Sequence, residues 1–329
     1  MSSSDKTVPK SSPSPMIYGH RGARGEMPEN SFAGLRHLLE TGVQAVEIDV
    51  QNTSDGVTVL WHDPVLNPDM VRGPTGQWLT CDATQIIATP YKELTQYEIG
   101  ALRTGSAQAQ RFPQQAKIDG ERIATLRDVC RWAQSLPGFI LNIEVKSYAD
   151  RSDLGASPDV LARSVASLVQ EFGLTDRSIV SSFDWRLLTA LHQLAPAVPR
   201  GYLSYLDRPN PPMQPNIIDS SAWMDGVRLA DHDGSLPQAI ADIGGAVWAP
   251  YFEDLTREDM NRAHAAGLKV NVWTVNEPQD MQRMAKMGVD GLITDYPTRA
   301  QALFAPGTQS ADAVGKPKSS DEVVARGDV

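Results

Sequence analysis

Between residues 16 and 305, short β-branched and apolar runs alternate with longer amphipathic stretches, and this rhythm limits the fold more than any other feature of the chain. The runs at 16–19, 45–50, 139–145, 178–182, 200–203, 246–249, 269–273 and 291–293 read as strands. The stretches at 31–41, 126–134, 159–172, 185–194, 257–266, 278–287 and 298–304 read as helices, the first with Asn30 as its N-cap. Strands separated by helices pair in parallel through crossovers. About eight such units in this length favour a closed (β/α)8 TIM barrel over an open doubly wound sheet, which periodicity by itself also allows.

A barrel takes about 250 residues. The 329 residues, 41% of them apolar, therefore suit a single domain over 16–305 flanked by polar tails at 1–15 and 306–329, both expected to be disordered. Two regions break the rhythm. Residues 63–120, after the second strand region, read as an insertion that overhangs the site; residues 207–233 read as a shorter one. In the longer region Trp78, Ile86, Ile87, Tyr91 and Tyr97 either build a small core or line a groove for an acyl chain. The small core is preferred, because apolar residues in a long insertion usually bury one another.

The formal net charge of -10 argues against nucleic acid and anionic membrane as partners, since both reward a basic face. No run approaches the roughly 18 apolar residues of a membrane span. Residues 1–15 lack the apolar stretch of a signal peptide, so the expected location is cytoplasmic. Cys81 and Cys130 provide neither a disulfide framework nor metal-ligand spacing. Barrels of this kind often pair, and a homodimer stays open.

Chemistry gathers where strands end. The first strand runs into His20-Arg21-Gly22. In the second, Glu47 and Asp49 share one face by the two-residue period, and in the third Asn142, Glu144 and Lys146 do the same. A hairpin-like stretch from Asp55 to Leu60 leads to Trp61-His62-Asp63. Glu47, Asp49 and Glu144 make an all-oxygen set of the kind that Mg²⁺ or Ca²⁺ prefers. His20 and His62 suit acid–base work, because imidazole titrates near neutrality. Each residue has a plainer explanation when taken alone: a solvated strand face for the acids, a structural strand end for His20, a surface charge for Lys146. Their recurrence at the ends of consecutive strands, the edge where barrel enzymes do their chemistry, shifts the balance. His37 and His264 lack that context and read as surface residues, and His192 and His232 read as structural. No Gly-x-Ser-x-Gly elbow, Walker loop or dinucleotide fingerprint occurs.

At these positions the chain resembles the glycerophosphodiester phosphodiesterase family. His20-Arg21-Gly22 with Pro28-Glu29-Asn30-Ser31 is similar to its opening signature, with Ser31 where Thr is usual. Glu47-Ile48-Asp49, Asp55-Gly56, His62-Asp63 and Glu144-Val145-Lys146 follow in the family's order. Val272-Trp273-Thr274-Val275-Asn276 and the segment from Gly288 to Pro297 resemble its last two strands. The resemblance implies hydrolysis of glycerophosphodiesters to sn-glycerol 3-phosphate and an alcohol. It also implies a divalent ion on Glu47, Asp49 and Glu144, with His20 and His62 as the acid–base pair. Arg21 and Lys146 would contact phosphate, and Trp273 would pack on the glycerol moiety. Two alternatives remain: a lysophospholipase D-like activity on acylated substrates, and a non-catalytic phosphate-ester binding protein.

Overall fold

The computed structural model describes residues 14–81, 84–209 and 213–305. The tails expected to be disordered lie outside the described residues, apart from Ser14 and Pro15, and Pro15 is buried. In chain order the elements are β1 (Met16–Gly19), α1 (Phe32–Glu40), β2 (Ala45–Asn52), β3 (Thr58–Leu60), α2 (Tyr91–Leu94), α3 (Ala107–Arg111), α4 (Leu126–Gln134), β4 (Ile140–Val145), α5 (Pro158–Glu171), β5 (Ser178–Ser182), α6 (Trp185–Leu194), β6 (Arg200–Ser204), α7 (Leu236–Asp242), β7 (Val247–Pro250), α8 (Arg257–Ala265), β8 (Lys269–Val272), α9 (Pro278–Met287), β9 (Gly291–Thr294) and α10 (Pro297–Phe304).

Eight strands pair in parallel in the order β1-β9-β8-β7-β6-β5-β4-β2, and β1 pairs with β2 to close the ring. This is the (β/α)8 barrel that the alternation predicted. β3 stands outside the ring as an antiparallel spur on β2, with Val50 opposite Leu60 and Asn52 opposite Thr58. Because side chains alternate across a strand, Val46, Ile48 and Val50 of β2 and Leu141, Ile143 and Val145 of β4 face outward into the main core, against helix residues such as Leu35, Leu38, Val129 and Val165. The alternate positions face the barrel axis, where Tyr18, Ala45 and Ile293 make a small apolar cluster joined by Ile140, Ile179 and Trp273.

Helix starts follow local chemistry. Thr125, Asp184, Ser235 and Thr256 each accept a backbone N–H of their own first turn. At α1 the cap is Ser31, which accepts from the Gly34 N–H, in place of the expected Asn30. Asn30 has a positive φ of 51° and spends its side chain elsewhere. α4 buries Leu126, Val129, Cys130 and Ala133, a stripe of helical spacing. The expected helices lack α7, whose 7 residues carry too little periodicity to stand out.

Between β3 and α4 the chain builds a second core from Leu66, Met70, Val71, Ile86, Leu94, Tyr97 and Ile99, joined by Val59, Trp61 and Ile123. Ile86 and Tyr97 sit inside it and Tyr91 packs against it, while Trp78 lies under the Arg72 guanidinium. Residues 207–233 contain two 3-10 turns, Ala222–Met224 and Leu229–His232. No helix among the described residues is long and apolar enough to cross a membrane.

Candidate active site

At the C-terminal ends of the first strands the turn after β1 folds back over β2. Gly19 permits this, since a Cβ there would lie 1.9 Å from the Gly22 carbonyl oxygen. The Gly22 N–H donates to the Glu47 carbonyl oxygen at 3.1 Å, and the Arg21 N–H donates to Glu47 Oε2 at 2.9 Å. Arg21 takes a positive φ of 51° to do so. Its side chain reaches Glu29 Oε1 through Nη1 at 2.9 Å and Asp49 Oδ2 through Nε at 3.2 Å. Asn30 grips Asp49 twice: Nδ2 donates to Oδ2, and Oδ1 accepts the Asp49 N–H, both at 3.0 Å.

Parallel register sets Asp49 beside Glu144 and Glu47 beside Asn142. Ligand oxygens of Glu47, Asp49 and Glu144 lie within 4.8 Å of one another, and all three residues are buried. Lys146 Nζ bridges Asp49 Oδ1, at 2.8 Å, and Glu144 Oε1. Burial raises the Glu47 carboxyl well above its ordinary range, and the neighbouring Asp49 and Glu144 charges push it further. Burial would do the same to Asp49, but Lys146 and Arg21 outweigh it and hold Asp49 low. Glu47 Oε1 is a buried oxygen with no hydrogen-bond partner. An uncompensated buried carboxylate among two others is expensive unless a cation joins it. The hard-oxygen donor set therefore fits a divalent ion.

The two imidazoles arrive by different routes. His20 follows directly from β1, its Nδ1 2.6 Å from Asp295 Oδ1 and its Nε2 3.8 Å from Glu47 Oε2. Burial lowers its pKa to about 4 against the pull of Asp295, so the ring is neutral at pH 7. His62 follows the β3 spur. The Trp61 N–H donates to the Asp49 carbonyl oxygen at 3.1 Å, and Gln51 Nε2 donates to the carbonyl oxygens of Trp61 and Asp63 on either side of His62, at 3.0 and 2.7 Å. His62 Nδ1 lies 2.6 Å from Asp63 Oδ1. Its pKa is lowered by desolvation and then by Arg21 and Lys146.

A pocket opens on this cluster, lined by His20, Glu47, Asn142, Glu144, Ser181, Leu203, Trp273 and Ile293. Trp273 donates its indole N–H to the Ala249 carbonyl oxygen at 2.8 Å. It meets Phe183, Tyr251 and Tyr205 at ring-centroid distances of 5.4, 5.3 and 6.2 Å. Seven of the predicted site residues, His20, Arg21, Glu47, Asp49, His62, Glu144 and Lys146, fall in one charged network, and Trp273 borders the same pocket.

Four side chains were missed as site residues. Asp295, fully buried, accepts from Arg24 Nε and Nη2 at 3.0 and 3.3 Å and from Asn276 Nδ2 at 2.7 Å while it holds His20. Burial would raise its pKa, but Arg24 and His20 hold it far below the usual carboxylate range. Asn30 and Gln51 are the others, beside Arg24. The signal for Gln51 was available: it shares the face of Glu47 and Asp49 by the same two-residue period. His37, read as a surface residue, is instead part-buried and lies 2.6 Å from Glu26.

The sequence model of the Glycerophosphoryl diester phosphodiesterase family matches residues 20–299. The uncharacterised Bacillus subtilis protein YqiK is 30% identical over 290 residues, covering 88% of this chain and 98% of its own. A glycerophosphodiester phosphodiesterase of Caldanaerobacter subterraneus is 27% identical over 282 residues, covering 86% and 94%. Among solved structures, a Silicibacter pomeroyi protein assigned as a glycerophosphoryl diester phosphodiesterase superposes with a TM-score of 0.77 at 36% identity, over 89% of this chain and 93% of that one. An Oleispira antarctica phosphodiesterase in complex with its product sn-glycerol-3-phosphate shares the fold, with a TM-score of 0.63 at 24% identity over 88% and 96%. Matched along most of its length by the family's sequence model, and aligned with relatives over nearly the whole of theirs, the chain belongs to the glycerophosphoryl diester phosphodiesterase family.

Proposed function

We propose that this chain hydrolyses glycerophosphodiesters to sn-glycerol 3-phosphate and an alcohol. The observation that carries the reading is the convergence of three buried carboxylates beside two imidazoles and two cations at one barrel mouth. Glu47, Asp49 and Glu144 would hold a divalent cation, Mg²⁺ or Ca²⁺, whose charge offsets the charge that builds on the non-bridging phosphate oxygens. Arg21, with its planar fork, and Lys146, as a point charge, bind the same phosphate.

Both rings have a carboxylate at Nδ1, which leaves Nε2 for the substrate. One ring takes the proton of the attacking oxygen as the new P–O bond forms. The other gives a proton to the leaving alkoxide as the old P–O bond breaks. The attacking oxygen belongs to water or to a glycerol hydroxyl of the substrate; the second route passes through a cyclic phosphate that water then opens. Burial favours the neutral ring in both, which is the state a base requires; the ring that serves as acid takes up a proton before it gives one to the alkoxide. Trp273 packs on the glycerol moiety at the pocket wall. Capture of sn-glycerol-3-phosphate in the Oleispira relative is consistent with this product.

Where the β3–α4 segment spends its apolar residues favours the unacylated substrate. Ile86 and Tyr97 are consumed in the segment's own core, which leaves less apolar surface for an acyl chain. The test is a panel of glycerophosphocholine, glycerophosphoethanolamine, glycerophosphoglycerol and lysophosphatidylcholine, with glycerol 3-phosphate detected enzymatically for the first three and choline release for the lysolipid. Release from the first three, ahead of any lysophosphatidylcholine turnover, is expected. Binding without product release would instead make the chain a phosphate-ester binding protein, and faster turnover of the lysolipid would make it a lysophospholipase D.

A further inference from the structure

We propose that the β3–α4 segment acts on the chemistry through Arg24, a positioning residue that it clamps against Asp295 and thereby against His20. The inference rests on the reading above that His20 handles a proton of the reaction, and it adds a role for residues far from the phosphate.

The contacts form one continuous line. Phe112, just past α3, is 3% exposed, and its ring lies 4.7 Å from Arg24 Cζ. Gln115 Nε2 donates to the Arg24 carbonyl oxygen at 2.8 Å, and the Ala116 N–H donates to the Glu26 carbonyl oxygen at 2.8 Å. The segment thus holds both the backbone and the guanidinium of the turn that follows β1. Arg24, 5% exposed, then presents Nε and Nη2 to the two oxygens of Asp295. Asp295 Oδ1 lies 2.6 Å from His20 Nδ1.

A bidentate guanidinium fixes the plane of a carboxylate as well as its position. Asp295 Oδ1 serves both Arg24 Nε and His20 Nδ1, so the direction of the imidazole follows the direction of the fork. The fork in turn lies against the Phe112 ring, whose face attracts a cation more than an aliphatic side chain can. Arg24 is buried and spends its fork on Asp295, so it acts on substrate through other side chains: closely through Asp295 and His20, and at 3.9 Å through Glu29, the partner of Arg21. Small misplacements of a reacting group cost turnover more than binding.

The experiment uses the full-length protein with Mg²⁺ and glycerophosphocholine, comparing Phe112→Leu, which keeps apolar bulk and loses the ring, with Phe112→Tyr, which keeps the ring. Ile86→Ala, in the segment's own core, controls for loosening of the segment. Phe112→Leu is expected to lower kcat by about threefold to tenfold with KM within about twofold. Phe112→Tyr should retain kcat, and Ile86→Ala should lower Tm while kcat per folded molecule holds. In parallel, nitrogen-15 NMR of the metal-free protein follows exchange of the His20 ring N–H with water, expected to quicken in Phe112→Leu alone. Unchanged kcat and unchanged exchange in Phe112→Leu would overturn the clamp. So would a rise in KM with kcat intact, or equal losses in all three variants. A wild type that releases no product sinks the proposed function; the exchange comparison then still decides whether the segment governs His20.

Discussion

The two sides of the barrel mouth solve opposite problems. On the side of β1, β2 and β4 stand Arg21, Glu47, Asp49, Glu144 and Lys146, paired almost entirely with one another. On the side of β5 to β8 stand Phe183, Tyr205, Tyr251 and Trp273, in edge-on and tilted contact. The charged side is costly to bury and is held by hydrogen bonds from Asn30 and the Arg21 backbone. The aromatic side is favourable to bury and needs little beyond packing and one indole hydrogen bond, from Trp273 to the Ala249 carbonyl. Under the proposed function the contrast becomes a division of labour: one wall would supply the field that acts on phosphate, and the other would supply shape.

Removing the cation should have the largest effect. Exhaustive chelation is expected to reduce hydrolysis to background, with recovery on adding Mg²⁺ or Ca²⁺; full activity after chelation would remove the metal from the charged wall. Next, His20→Ala and His62→Ala should each lower kcat by about 10²–10⁴-fold while circular dichroism shows an intact fold. Near-normal turnover in either variant would strip that ring of its role. On the opposite wall, Trp273→Ala should raise KM about tenfold and change kcat by less than about threefold. A kcat effect as large as that of the histidines would erase the division between the walls.

The smallest effect is thermal. Glu47 has a raised pKa in the folded state, so it binds its proton more tightly there than in the unfolded chain. Its contribution to the stability of the metal-free protein therefore falls as pH rises above the unfolded value near 4.5, opposite in sign to that of His20 and His62, and Glu47→Gln should remove this contribution and raise Tm at neutral pH. A cation at a hundred times its Kd should add about 2.7 kcal/mol to the wild type and much less to the variant. A variant that gains as much from Mg²⁺ as the wild type would show that Glu47 is not a ligand.

Much of this was legible in the chain. Alternating runs gave the barrel, and the two-residue period placed Glu47, Asp49 and Glu144 on inward faces, because strand periodicity is a local property. Asp295 was harder to see. It lies 275 residues from His20, and only closure of β9 onto β1 brings them together. Asn30 was misread as a cap because Asn before an apolar run is a good cap; its positive φ, visible only in the fold, turns its amide toward Asp49 instead. A small core in the β3–α4 segment was expected from its apolar residues, but its pairing was not, since the segment has no repeat and its residues meet through isolated bridges such as Arg72 with Glu98 and Glu98 with Arg122.

The ring of strands is completed by a pairing between the first and the last, Tyr18 beside Ile293 and Gly19 beside Thr294, and the next residue on each side is His20 or Asp295. A folding intermediate that lacked this seam would already carry every acid and both imidazoles. It would not yet hold the first imidazole in place. Competence would therefore depend on this seam, so that turnover itself reports that the ring is closed.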